Sequence, residues 1–188
     1  MNNIDYWFWD KLIDDKQITN LNNFIDNNFD NFEDNIYSAT DSNGNLKKNC
    51  EVKVISLHKL NDLILPTLEN VYYIAFREFG YNLFPKNNNN TFLLSKYSET
   101  NKSKYDYHTD ISRSSNYDTK LTFIINLSTQ KFEGGKFMIY NNSEYEVSEF
   151  INPGSAVLFK SYLHHKVTPV TKGERKSLTY FLEGPAFI

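Results

Sequence analysis

The chain has 188 residues, 40% of them hydrophobic and 16% aromatic, which is enough to bury the core of one domain and argues against global disorder. A net charge of −3 gives no electrostatic reason to expect nucleic acid or an anionic membrane as a partner. One cysteine, Cys50, excludes an intrachain disulfide and a cysteine-based zinc site, and fits a reducing, cytoplasmic setting.

Residues 1–10 are aromatic and acidic rather than basic and then apolar, so they do not read as a secretory signal. No apolar run approaches the roughly 18 residues that span a bilayer. Ile18, Leu21, Phe24, Ile25, Phe29 and Phe32 recur at helical spacing and predict a first helix starting near Thr19 or Asn20. The polar stretch 38–49, which contains Asn43-Gly44, predicts a turn or hairpin loop. His58 stands ahead of a second helix, predicted from Leu68, Val71, Tyr72, Ala75 and Phe79 and ending at Gly80. It has no carboxylate nearby in sequence and reads as structural. The four asparagines 87–90 predict a loop.

From Thr91 the pattern changes to short strands broken by turns. Strands are predicted at 92–97, 105–110, 120–127, 136–140, 144–147, 156–159, 165–168 and 177–182, with Gly134-Gly135, Asn141-Asn142 and Pro153-Gly154 among the separators. About eight strands after two helices predict a mainly β fold. The expected architecture is a double-stranded β-helix, or jelly roll, with the helices packed on the larger sheet. With no internal repeat and no linker, residues 1–188 read as one domain, in which 1–90 form a helical support and 91–188 the β core.

The chemistry gathers in that second half. Residues i and i+2 of a strand point to the same side, so His108 and Asp110 can grip one ion while Thr109 faces away. His164 and His165 are neighbours and on a strand face oppositely. His165 can supply the second imidazole, with His164 then a partly exposed packing residue. Two imidazoles and one carboxylate on a single face of a metal leave three positions open, the arrangement of non-haem Fe(II) oxygenases. A surface His–Asp pair is the plain alternative for His108 and Asp110 taken alone. Arg175 and Ser177 share strand parity. A buried guanidinium needs an anion and can hold a carboxylate with two hydrogen bonds, whereas an arginine in an exposed turn after Gly173 would need nothing. The Tyr97 phenol can reach a co-substrate carboxylate or serve the core. Asn126 is a polar group in an apolar strand, either lining the cavity or satisfied as a sheet-edge amide. Glu133 before Gly134-Gly135 belongs to a turn rather than to the donor set.

On these residues the C-terminal half resembles the 2-oxoglutarate- and Fe(II)-dependent oxygenases, in their prolyl 4-hydroxylase-like branch that includes the PKHD-type hydroxylases. The matching stretches are Tyr97, Tyr107-His108-Thr109-Asp110, residues 121–127, Phe132-Glu133-Gly134-Gly135, Pro153-Gly154-Ser155-Ala156-Val157-Leu158-Phe159, and His165 through Gly173-Glu174-Arg175-Lys176-Ser177-Leu178. The resemblance covers about residues 91–184. It implies Fe(II) on His108, Asp110 and His165, and 2-oxoglutarate with its distal carboxylate on Arg175. Tyr97 and Asn126 would lie near that co-substrate, O2 would be the oxidant, and ascorbate a reductant. The implied reaction is hydroxylation of an unactivated C–H bond with succinate and CO2 as co-products, the substrate being a peptidyl proline. The same chemistry on a small molecule, and a non-catalytic jelly-roll binding module, are the alternatives. A peptide substrate is expected to run between the polar loops 98–104 and 112–119. The first of these lacks the glycine that relatives carry after the tyrosine, and Lys136 stands where an acidic residue commonly follows the glycine pair.

Overall fold

The structure is a computed structural model that describes residues 4–35, 40, 44, 46–87, 89–112 and 116–186. Asn43 of the expected Asn43-Gly44 turn, Asn88 of the asparagine loop and residues 113–115 of the loop 112–119 lie outside them. In chain order the elements are β1 (Tyr6–Trp9), α1 (Asp15–Asn28), β2 (Glu33–Asp34), β3 (Glu51–Ser56), α2 (Leu57–Ile74), β4 (Thr91–Ser98), β5 (Tyr105–His108), β6 (Tyr117–Asn126), β7 (Glu133–Gly134), β8 (Phe137–Asn141), β9 (Ser143–Glu146), β10 (Ala156–Lys160), β11 (His164–Val167), β12 (Val170–Lys172) and β13 (Glu174–Pro185). Among the described residues no helix is long and apolar enough to cross a membrane.

The strands form a large antiparallel sheet in the order β1-β10-β6-β13-β4-β3-β2, a smaller one in the order β5-β11-β8-β9, and the pair β12-β7. Strand alternation gives the large sheet two apolar faces, each with its own core. Leu94, Leu121, Phe123, Ile125, Leu158, Leu178 and Tyr180 point outward and are covered by Ile18, Leu21 and Ile25 of α1 and by Leu60, Ile64, Leu68 and Val71 of α2. Tyr97, Ile124, Val157 and Phe159 point inward and meet Phe137, Ile139 and Val167 of the smaller sheet. This is the expected double-stranded β-helix with its helices on the larger sheet.

The N-terminal third departs from the sequence reading. It is not helical throughout, since β1 pairs with β10 at one edge of the large sheet and β3 pairs with β4 toward the other. The first helix starts earlier than Thr19, because the Asp14 carboxylate accepts a hydrogen bond from the Gln17 amide at 2.8 Å while the Gln17 side-chain oxygen accepts one from the Asp14 amide at 3.2 Å, a capping box. Phe29 falls in a 3₁₀ turn after it. The second helix begins at Leu57, so His58 lies in its first turn, exposed, rather than ahead of it. It runs into one π-helical turn, Ala75–Phe79, and stops at Gly80, whose φ of 68° makes the expected left-handed end.

One junction fixes β13 next to the site. Gly134, at φ 73°, pairs with Val170, and a Cβ added there would lie 2.1 Å from the Pro169 carbonyl oxygen. A Cβ on Gly135 would stand 3.0 Å from the Arg175 side chain. The glycine pair therefore makes a turn and also clears the space that Arg175 occupies. Replacing Gly134 with alanine should destabilise the fold by about 2–4 kcal/mol, combining left-handed strain with a backbone clash. The denaturant midpoint checks this, and an unchanged midpoint contradicts it.

Candidate active site

His108 is the last residue of β5 and pairs directly with His165 of β11. Tyr105 pairs with Val167, so three steps along β5 match two along β11. This bulge puts Tyr105 and His108 on one side of the strand and stacks their rings, with centroids 3.4 Å apart. Asp110 follows the strand and is tied by its amide to the Ser161 carbonyl oxygen at 2.9 Å. Its Oδ1 lies 3.4 Å from His108 Nε2, and its Oδ2 lies 3.2 Å from His165 Nε2. The donor atoms of these three residues all lie within 4.8 Å of one another.

The protonation pattern suits a metal. His108 Nδ1 is 2.8 Å from the Asp106 carbonyl oxygen, and His165 Nδ1 is 3.0 Å from that of Leu163. A carbonyl only accepts, so each Nδ1 donates, and Nε2 is the nitrogen that each ring turns toward Asp110 and could offer to a metal. Burial lowers the His108 pKa, which favours the neutral, ligating form. Burial works against charge on Asp110, but the two imidazoles outweigh it and hold the carboxyl well below the usual range. Thr122 donates to Asp110 Oδ2 at 2.9 Å and sits 3.0 Å from the Ser161 hydroxyl, so the carboxylate is steered from behind.

Arg175 stands across the same cavity, on β13 opposite Tyr97 of β4. Its side chain is buried, with 2% of the residue exposed. Nη1 donates to the Ser177 hydroxyl at 3.1 Å, whereas Nη2 is buried with no hydrogen-bond partner among the described residues. The rings of Tyr97 and Phe150 flank the guanidinium at 5.2 and 5.4 Å. The exposed-turn alternative is thereby excluded. A buried polar nitrogen without a partner costs on the order of 1–3 kcal/mol, more when charged, and a carboxylate in the cavity would remove that cost.

The cavity, of about 220 Å³, is lined by His108, Asp110, His165, Tyr97, Arg175 and Ser177, among others. It thus gathers five of the six residues singled out in the sequence. The sixth, Asn126, is not in its lining and takes the other of its two readings. Its Nδ2 donates to the carbonyl oxygens of Ile151 and Asn152, and its Oδ1 accepts from the Ser128 amide, so the amide ties down the loop before β10. His164 is exposed while His165 is buried, as strand parity requires. Glu133 pairs with Lys172 at 3.2 Å, away from the donor set. Loop 98–104 is tied down rather than free: the Glu99 amide donates to the Gly173 carbonyl oxygen at 3.1 Å, and the Gly173 amide donates back to the Glu99 carboxylate at 2.8 Å.

The sequence reading missed Thr122, Ser161, Tyr105 and Lys48. Thr122 shares inward parity with Asn126, a signal that was present in the sequence. Tyr105 faces the site only because of the bulge, and Lys48 only because a distant segment folds back to the β5 edge.

The jelly roll and its two-histidine, one-carboxylate donor set define a non-haem metal oxygenase. Residues 92–183 match the family model described as the 2OG-Fe(II) oxygenase superfamily, and through this segment the chain belongs to that superfamily. Its members use Fe(II), 2-oxoglutarate and O2. Among solved structures, a prolyl-4-hydroxylase from Pseudomonas putida is 16% identical, with a TM-score of 0.71 over 96% of this chain and 92% of that one. A viral collagen prolyl hydroxylase from Paramecium bursaria Chlorella virus-1, in complex with 2OG, is 14% identical with a TM-score of 0.69, covering 97% and 98%. A prolyl hydroxylase from Trichoplax adhaerens, in complex with a hypoxia inducible factor oxygen degradation domain peptide fragment, is 12% identical with a TM-score of 0.71, covering 96% and 84%. At such identities the likeness is one of fold. No curated protein matches the chain by sequence.

Thr122→Val removes the hydrogen bond behind Asp110 while keeping the side-chain shape. It should weaken Fe(II) affinity by roughly 10-fold or more, as loss of a group that orients a ligand does. A metal titration at unchanged thermal stability reads this directly, and undiminished affinity would remove Thr122 from that role.

Proposed function

We propose that the chain is an Fe(II)- and 2-oxoglutarate-dependent dioxygenase that hydroxylates an unactivated C–H bond of a peptidyl proline, releasing succinate and CO2. The reading rests on one juxtaposition: a two-histidine, one-carboxylate donor set shares a cavity with a buried guanidinium that has a nitrogen to spare. His108, Asp110 and His165 would hold Fe(II), and Arg175 would take the distal carboxylate of 2-oxoglutarate. Bound there, Fe(II) would activate O2 and the keto acid would supply two electrons to it, leaving as succinate and CO2.

The protein's own part is positional. The Nδ1–H···O=C bonds of both histidines fix their ring orientation, and Thr122 fixes that of Asp110. Tyr97 and Phe150 close the sides of the guanidinium, so that water does not compete for it. Burial raises the Tyr97 hydroxyl well above the ordinary phenol value, so it stays protonated and able to donate to a carboxylate. Proline as the target is supported by the prolyl hydroxylases among the fold relatives, one of them bound to a peptide fragment.

Incubation with proline-containing peptides should release succinate and add the mass of one oxygen atom to the peptide, dependent on Fe(II) and 2-oxoglutarate and lost in Asp110→Ala. Turnover of a free metabolite with no peptide oxidised would transfer the reaction to small molecules. Arg175→Ala should weaken 2-oxoglutarate binding by about 2–5 kcal/mol, with Arg175→Lys recovering part of it because the planar fork is gone. Calorimetry decides, and an unchanged affinity in the alanine variant overturns the assignment. His165→Ala should abolish Fe(II) binding, whereas His164→Ala should leave it intact. An equal loss in both would contradict the ligand set.

A further inference from the structure

The segment 46–50 belongs to neither sheet's named strands, yet it builds a wall of the catalytic cavity. It lies along the free edge of β5: the Asp106 amide donates to the Lys47 carbonyl oxygen at 2.8 Å, the Asn49 amide donates to that of Lys104 at 3.3 Å, and Lys48 bridges to Tyr105. Alternation along this extended piece turns Lys48 and Cys50 toward the interior. Cys50 packs among the residues between the sheets, in the cluster that contains Tyr97. Lys48 lines the cavity, its Nζ 4.6 Å from the centre of the Tyr105 ring, which itself stacks on His108. The ammonium therefore stands on the His108 side of the donor set.

Among the described residues no carboxylate pairs with Lys48. Burial works against the ammonium charge, and the carboxylate that acts on it is Asp110, whose oxygens are engaged by both histidines and Thr122. The other acidic side chains around Lys48 carry no charge, since burial raises both the Cys50 thiol and the phenols of Tyr97 and Tyr105, the latter to about 12. Loading the site does not supply a counter-ion either. Fe(II), the Asp110 carboxylate, the 2-oxoglutarate dianion and the Arg175 guanidinium cancel one another, which leaves Lys48 as an uncompensated positive charge in a partly desolvated cavity.

We infer that Lys48 determines specificity by binding an anionic group of the prime substrate, so that the enzyme selects targets with a carboxylate beside the carbon it oxidises. This rests on the oxygenase reading above, in which both carboxylates of 2-oxoglutarate are already held. On a peptide, the group is an aspartate or glutamate next to the target residue. The strip on which Lys48 sits also explains what the N-terminal third adds to the site: it brings a charge to the substrate side that the β core does not contribute.

The test uses paired peptides that differ only in Glu against Gln beside the proline, titrated anaerobically into protein loaded with Fe(II) and 2-oxoglutarate. The glutamate peptide should bind about ten-fold more tightly or better. That advantage should vanish in Lys48→Met and reverse toward Lys-containing peptides in Lys48→Glu. Equal binding of the pair, no binding of either, or an advantage that survives Lys48→Met overturns the proposal. So does a loss of 2-oxoglutarate affinity in Lys48→Met in place of lost discrimination, which would assign the lysine to the co-substrate. Product analysis separates the two readings. Oxidation of both peptides without preference sinks the role of Lys48 and leaves the hydroxylase, whereas charge-selective binding with no oxidised product sinks the peptidyl-proline reading and leaves Lys48.

Discussion

An arginine that is 2% exposed and whose guanidinium has, among the described residues, a single hydrogen bond, to a serine, is out of balance, and much of the large sheet's inner face is arranged around it. Aromatic rings flank it, Gly135 makes room for it, and the cavity lies open before it. The same strand alternation that turns Arg175 and Ser177 inward turns Lys176 outward, where its ammonium meets Asp26 of α1 at 2.7 Å. One strand therefore binds the helical layer on one side and presents a free cation to the cavity on the other. Cations on both faces of a central strand are costly to bury, and the two faces resolve the cost differently. Lys176 has a partner within the protein, whereas Nη2 of Arg175 has none among the described residues.

The donor set follows from comparable geometry on the smaller sheet. His108 and His165 are directly opposed across β5 and β11, and Asp110 is held two residues past the strand end by Ser161 and Thr122. Ser161 and Thr122 come from the end of β10 and from β6, in the large sheet. The two sheets thus meet at the carboxylate, so the site is formed only when the sandwich closes. Its ligands come from the smaller sheet and the groups that hold Asp110 from the larger, so their relative placement is as firm as the core between them.

What the sequence disclosed and what it hid divide along the range of the interactions involved. His108, Asp110, His165 and Arg175 were legible because strand parity is a local property: once the strands were recognised, the facing of each side chain followed. Eight of the ten strands described from Thr91 onward, all but the short β7 and β12, and the left-handed end at Gly80 were legible for the same reason. By contrast Tyr6–Trp9 is an unbroken aromatic run with no alternation, and its identity as a strand comes from pairing with β10, far away in sequence. The start of α1 is set by the Asp14–Gln17 capping box, a pattern visible in the sequence, rather than by Thr19 or Asn20. Asn126 was ambiguous because its partners, the carbonyls of Ile151 and Asn152, lie in a loop whose path only the tertiary structure sets. Tyr105 and Lys48 were hidden because a bulge and a non-local edge pairing decide which way they face, and neither leaves a periodic trace.

The central claim is that Arg175 and the His108–Asp110–His165 set receive opposite ends of one dicarboxylate. It is tested most directly from the ligand side, on the unaltered protein. Calorimetric titration of the Fe(II)-loaded chain would compare 2-oxoglutarate with 2-oxobutyrate, which offers the metal the same keto acid but lacks the distal carboxylate. The account predicts that 2-oxoglutarate binds more tightly by roughly 30-fold or more, the equivalent of about 2 kcal/mol for the pairing with Arg175. Equal affinities would contradict it, because the guanidinium would then be buried for some other reason.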